Sequence, residues 1–190
     1  MNKVKGIPLK RLSTKDLVQI ALLTSMLSVA SVFVIPIGPV PITLQVFFFL
    51  LIPALMGPFK GTLSILLYIL LGLIGFPVFA GGSGGFQSIL SPAFGYIIGA
   101  VFVSLIVGKL YQYKTSSLYR ISTMFIGILV LYVVGISYQY FIMNVYLQTP
   151  ITLQTIFLTN LTTFLPIDMI KAFAAGIVCQ RLESVLMRTA

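Results

Sequence analysis

The sequence predicts an all-α membrane protein of six transmembrane helices with both termini in the cytoplasm. Three observations predict it. Of 190 residues, 58% are hydrophobic and 8% charged, where a soluble domain carries about 25% charged residues. Mean hydropathy is +1.10, too apolar to be hidden inside a monomer of this size. Finally, the apolar residues gather into runs near the roughly 20 residues needed to cross a hydrocarbon core. Basic residues mark every second connection between those runs.

The elements follow in order. Lys3, Lys5, Lys10, Arg11 and Lys15 form a basic tail ahead of the first helix, about 17–35. Ser28-Val29-Ala30 offers a signal-peptide-like cleavage site, but the apolar run continues past it, which favours a span. Pro36, Pro39 and Pro41 then stop the helix and force an extended loop. The apolar block 42–76 is too long for one span at about 1.5 Å per residue. Gly57-Pro58 therefore splits it into a hairpin of helices at about 42–56 and 58–76. An uncharged, glycine-rich loop at 77–92 leads to a fourth helix, about 93–110. The fifth is expected at 121–143 and the sixth at 152–178. The whole chain, 1–190, reads as a single integral membrane domain.

Charge sets the orientation. The N-terminal tail, the 57–60 turn, the 109–120 connector and the C-terminal tail hold eleven of the twelve Lys and Arg. The connections at 36–41, 77–92 and 144–151 hold no charged residue. By the positive-inside rule, the basic connections and both termini face the cytoplasm of a plasma-membrane protein. The net charge of +9 is thus a topology signal, and no nucleic-acid partner is expected.

The inventory excludes several chemistries. With no histidine there is no zinc-protease motif and no Ser-His dyad. An aspartyl intramembrane protease needs two carboxylates within spans, and only Asp168 qualifies. No P-loop sequence exists. Cys179 is alone, without a disulfide partner or metal-ligand companions, and reads as a small core hydrophobe. No catalytic residues, metal or cofactor are expected.

Leu165-Pro166-Ile167-Asp168-Met169-Ile170-Lys171 is the exception inside an apolar run. Ionisable groups at membrane depth are costly and default to a functional hypothesis. At roughly 100° per residue, Phe164, Asp168 and Lys171 lie about 40°, 80° and 20° round the helix from Asn160. That stripe suits a small polar molecule with N–H donors and an anionic end. An internal Asp–Lys pair satisfying itself is the competing reading. Pro166 favours the first, because it frees a backbone carbonyl one turn before the charges.

Pro41-Ile42-Thr43-Leu44-Gln45 recurs as Pro150-Ile151-Thr152-Leu153-Gln154, which reads as helix-start chemistry arising twice, with room for the two glutamines to differ in role. Tyr138 on the fifth helix reads as a packing or interfacial tyrosine and as a weaker site candidate.

Several of these segments carry a resemblance. Pro39–Gln45, Tyr68–Gly85, Gly95-Tyr96 and Leu165–Lys171, taken in this order, are specific, and the sequence resembles the BioY family. These are the biotin-binding S components of energy-coupling factor (ECF) transporters. The resemblance covers nearly the whole chain. It implies biotin capture from outside and partnership with a transmembrane coupling subunit and two cytoplasmic ATP-hydrolysing subunits. Biotin is then the transported ligand. Asp168 would accept from the ureido N–H groups, Asn160 would serve the ureido carbonyl or an N–H, and Lys171 would take the valerate carboxylate or hold Asp168 ionised. Gln45 would close over the ligand, with Gly81, Gly82, Gly84, Gly85 and Tyr96 lining the pocket. In this family the first helix presents small residues to the coupling subunit. Ala21 and Ser25 supply a small-xxx-small pair here, with packing inside the bundle as the other reading. The alternative function is a proton-coupled secondary transporter that uses Asp168 as its proton site; a membrane scaffold without a ligand is a third.

Overall fold

A computed structural model describes residues 12–188, and the side chains up to Glu183. The basic tail residues Lys3, Lys5, Lys10 and Arg11 lie outside the described residues, as does the side chain of Arg188. Helix α1 spans Thr14–Val32, starting ahead of the expected Leu17. Ser13 explains the earlier start. Its hydroxyl accepts from the Asp16 amide at 3.2 Å while its own amide donates to the Asp16 carboxylate at 3.0 Å. This reciprocal cap satisfies two N–H groups that a helix start leaves orphaned.

The proline-rich connection holds more structure than a loop. Strands β1 (Val34–Ile35) and β2 (Ile42–Thr43) pair antiparallel, with Val34 opposite Thr43 and Ile35 opposite Ile42. They form a short ribbon over one end of the bundle.

Helix α2 covers Gln45–Leu73 but is broken at Gly57, where φ is 77° and ψ 176°. That conformation is nearly closed to residues with a Cβ. The chain doubles back there. Gln45 Nε2 donates to the Tyr68 hydroxyl at 2.6 Å, although a straight helix would hold these residues about 35 Å apart. The arms touch closely near the turn, since a Cβ on Gly61 would lie 2.7 Å from Pro53 Cα. Backbone cannot yield as a side chain does. Gly61→Val is therefore expected to cost about 1–3 kcal/mol by overpacking, lowering the melting temperature in detergent by several degrees; an unchanged melt would refute this close approach.

The 77–92 segment carries two short 3-10 turns, Ala80–Gly82 and Phe86–Leu90. Helices α3 (Phe94–Tyr113) and α4 (Ser117–Phe141) follow. A widened turn, Ile142–Tyr146, closes α4. The expected last helix divides into α5 (Leu153–Thr159), a second widened turn at Asn160–Phe164, and α6 (Leu165–Arg188). Thr152 caps α5 by accepting from the Thr155 amide. Pro166 explains the widening: it has no N–H to give and its ring crowds the carbonyl four residues back. Just before it, the Leu165 amide reaches the Asn160 carbonyl instead.

Helix α2 is the centre of the bundle and packs on α1, α3 and α6, while α4 packs on α3 and α6. Among the described residues, five helices are long and apolar enough to cross a membrane, with the folded-back α2 counted as one. Two ion pairs lie at one end. Lys60 beside the α2 turn pairs with Asp16 at the start of α1, and Arg120 near the start of α4 pairs with Glu183 on α6. Ser117 donates to Gln180 at 2.7 Å, so the start of α1, the α2 turn, the α3–α4 connection and the far part of α6 share that end. The ribbon, the 77–92 segment and the α4–α5 connection occupy the other.

Candidate binding site

Beneath the ribbon lies a cavity of about 40 Å³. Ile42 and Thr43 come to it from the ribbon, Gln45 from the head of α2, Tyr96 from α3, and Tyr132 from α4. The widened turn and α6 supply Asn160, Phe164, Asp168 and Lys171. The stripe expected from helical spacing thus faces one space. Asp168 is 7% exposed and Asn160 1%.

Each polar group is held in place. The Asp168 carboxylate accepts from Lys171 Nζ at 2.8 Å through one oxygen and from the Tyr132 hydroxyl at 2.8 Å through the other. An ionised carboxylate has about four acceptor positions, so acceptor capacity remains on both oxygens. The Tyr96 hydroxyl donates to Asn160 Oδ1 at 2.5 Å. Asn160 Nδ2 donates to Gln139 Oε1 at 3.0 Å and to the Ile156 carbonyl at 2.9 Å. Both amide hydrogens of Asn160 are spent in this arrangement. Asn160 Oδ1, which accepts from Tyr96, keeps a second acceptor position. The wall is therefore rich in acceptors, with the Lys171 ammonium as its cation. Lys171 also borders a second groove of about 300 Å³ on the outer side of the ribbon, with Ile35, Ile42 and Ile167.

The remaining expected site residues divide between the cavity and other places. Gly81, Gly82, Gly84 and Gly85 do not line the cavity; Ala80 beside them does. The glycines serve the turn itself: a Cβ on Gly84 would lie 2.2 Å from the Phe76 carbonyl oxygen, and the Gly85 amide donates to the Gly72 carbonyl at 2.7 Å. Gln45 reaches the cavity, yet its side-chain amide is bonded to Thr43 and Tyr68. Ala21 and Ser25 are exposed, away from the buried face of α1 formed by Ile20, Thr24, Leu27 and Ala30. Neither side chain packs against the rest of the described chain. Gln45 and Gln154 do diverge, as Gln154 is exposed beside an apolar groove between α4 and α5.

Tyr132, Thr43 and Gln139 escaped the sequence reading. A signal for two of them existed, since Tyr132 and Gln139 are seven residues apart on one face of an otherwise apolar helix. Tyr138 lies about 240° round from Tyr132 at roughly 100° per residue, and donates to the Ile89 carbonyl while packing on Phe94.

Membrane-length helices around a polar cavity near one end define the class, a multi-pass helical membrane protein with a buried polar site. More narrowly, the chain belongs to the BioY family, which it matches over residues 2–188. A probable biotin transporter BioY from Lysinibacillus sphaericus is 35% identical, with 93% of this chain and 91% of that protein covered. One from Pyrococcus horikoshii is 37% identical over 90% of this chain and 98% of its own length. The fold matches a crystal structure of the S-component for biotin from an ECF-type ABC transporter at a TM-score of 0.70. The two share 32% identity, covering 90% of this chain and 91% of that one.

Proposed function

We propose that this protein takes up biotin as the substrate-binding S component of an ECF-type transporter. It is a multi-pass protein of the cytoplasmic membrane. Family membership and the likeness to a biotin S-component support that function, and one local observation gives it a mechanism. Asp168 is fixed by Tyr132 and Lys171 with acceptor positions left over beside a cavity. Two ureido N–H groups need such acceptors, and a valerate carboxylate needs a cation such as Lys171. Asn160, Tyr96 and Gln45 complete the site in this reading, and Ala80, next to the 81–85 glycines, stands at its rim.

The two arms of α2 count as separate crossings in this proposal, giving six, and both chain ends face the cytoplasm. The clustering of Lys60, Arg120 and their acidic partners at one end supports that orientation. A transmembrane coupling subunit and two ATPase subunits energise delivery. Space of about 40 Å³ holds only a few waters, at roughly 10–15 Å³ each, so the ribbon must lift to admit biotin and settle again over it.

Calorimetric titration of the detergent-purified protein with biotin tests the reading. Stoichiometric, saturable binding is expected. A well-folded protein that takes up no biotin would overturn it.

A further inference from the structure

Tyr68, Gly72 and Phe79 belong to the segment that carries the family resemblance, and the site as described uses none of them. Tyr68 is fully buried, with its ring edge-on to Phe49 at 6.3 Å and to Phe79 at 5.3 Å. A Cβ on Gly72 would lie 2.1 Å from the Phe79 ring, so the glycine is what lets Phe79 reach Tyr68. This packing fixes where the hydroxyl sits.

The hydroxyl joins two parts of the chain that flank the ribbon. It accepts from Gln45 Nε2 at 2.6 Å and donates to Ser31 Oγ at 3.1 Å. Ser31 donates in turn to the Leu27 carbonyl at 2.7 Å. On the other side, Thr43 Oγ1 donates to Gln45 Oε1 at 2.9 Å and accepts from the Gln45 backbone N–H at 3.1 Å. Ser31 stands just before β1, and Thr43 lies within β2. Both roots of the ribbon are therefore tied to one hydroxyl on the opposite arm of α2. The chain of bonds is buried throughout: Ser31 is 0% exposed, Thr43 and Gln45 8% each.

From this geometry we infer that Tyr68 is a positioning residue for ligand retention, acting through Gln45, Thr43 and Ser31 rather than by touching the ligand. Its hydroxyl sets how far the Ile42–Thr43 strand stands above the cavity. Gln45 is held by the same bonds, so its task is to carry the strand's position to the site. The inference rests on the biotin reading for its ligand but not for its structural half.

Tyr68→Phe keeps the ring and removes the hydroxyl, leaving the Gln45 amide without its buried acceptor. Two readouts on the purified full chain separate the possibilities. Backbone hydrogen exchange over 33–44, measured without ligand, is expected to quicken about tenfold, with α3 and α4 unchanged. Biotin dissociation from the loaded protein is expected to quicken about tenfold, more than association does. Ser31→Ala gives a smaller change alone. Combined with Tyr68→Phe it adds nothing, because both variants cut one chain of bonds. Unchanged exchange over 33–44 in Tyr68→Phe overturns the inference, as does full additivity. Faster exchange throughout α3 and α4 overturns it too, by making Tyr68 a general packing residue. If the wild type holds no biotin, the functional reading fails while the exchange measurement still judges the tether.

Discussion

Replacing Asp168 with asparagine is expected to weaken biotin binding by on the order of 100-fold while leaving the protein folded. The substitution keeps the shape and removes the charge, and it turns one acceptor oxygen into a donor. That donor would face either the Tyr132 hydroxyl or the Lys171 ammonium, both of which donate to Asp168 now. Hydrogen bonds to a charged group contribute about 1.5–3 kcal/mol each, and about 1.4 kcal/mol is tenfold in affinity. Losing two charge-assisted ureido contacts therefore accounts for a change of that size. Lys171, whose side chain is 11% exposed, would also lose its ion-pair partner, and an uncompensated buried charge is costly.

Lys171→Ala run beside it separates the two ends of the ligand. Wild-type protein should bind biotin more tightly than its methyl ester, which lacks the anionic end. In Lys171→Ala the acid and the ester should bind alike, since the cation that tells them apart is gone. This is a double-mutant cycle in which one partner is the ligand. Wild-type affinity in Asp168→Asn would remove the charged pair from the site altogether. A persistent preference for the acid in Lys171→Ala would move the carboxylate to another donor.

The stripe Asn160, Phe164, Asp168 and Lys171 was legible because helical periodicity survives even a widened turn. Charges in an apolar span announce themselves in any sequence. The Gly57-Pro58 reversal was legible for a similar reason, as an apolar block of that length cannot stay straight within a bilayer. What escaped was pairing between distant segments. Nothing local marks Tyr132 as the donor to Asp168, or Tyr68 as the partner of Gln45 on the facing arm. The glycines at 81–85 are ambiguous in the opposite way. Their lack of side chains suits close approach to a ligand and close approach to backbone equally well; Gly84 and Gly85 approach the Phe76 and Gly72 carbonyls, whereas a Cβ on Gly81 or Gly82 would meet only Val34 or Val32 at ordinary contact distance. The ribbon was hidden by its prolines, which exclude helix but are compatible with a two-residue strand on either side.

The second large effect is expected at Ala21, where a tryptophan should abolish biotin uptake and leave biotin binding intact. Helix α1 is the least enclosed of the five membrane-length helices, with 28% of its apolar stretch buried against 56% for α3. Leu17, Val18, Leu22 and Val29 stand more than half exposed along it. Ala21 lies among them, so added bulk there meets no core and should not disturb the cavity. Its small size matters only to something that approaches α1 from outside. In membranes helices approach closely where small residues line the contact, which fits a coupling subunit docking on this face. Ser25 is compatible with the same contact. Its hydroxyl donates to the Ala21 carbonyl at 2.8 Å within the helix, so it presents little more than a small side chain, and Ser25→Ala should be neutral. Uptake would be measured in cells making the coupling and ATPase subunits, and binding by titration of the purified variant. Leu105→Trp on the exposed side of α3 serves as the control and should transport normally. Loss of both binding and uptake in Ala21→Trp would mean that the residue supports the fold. Normal uptake would place the docking face on another helix.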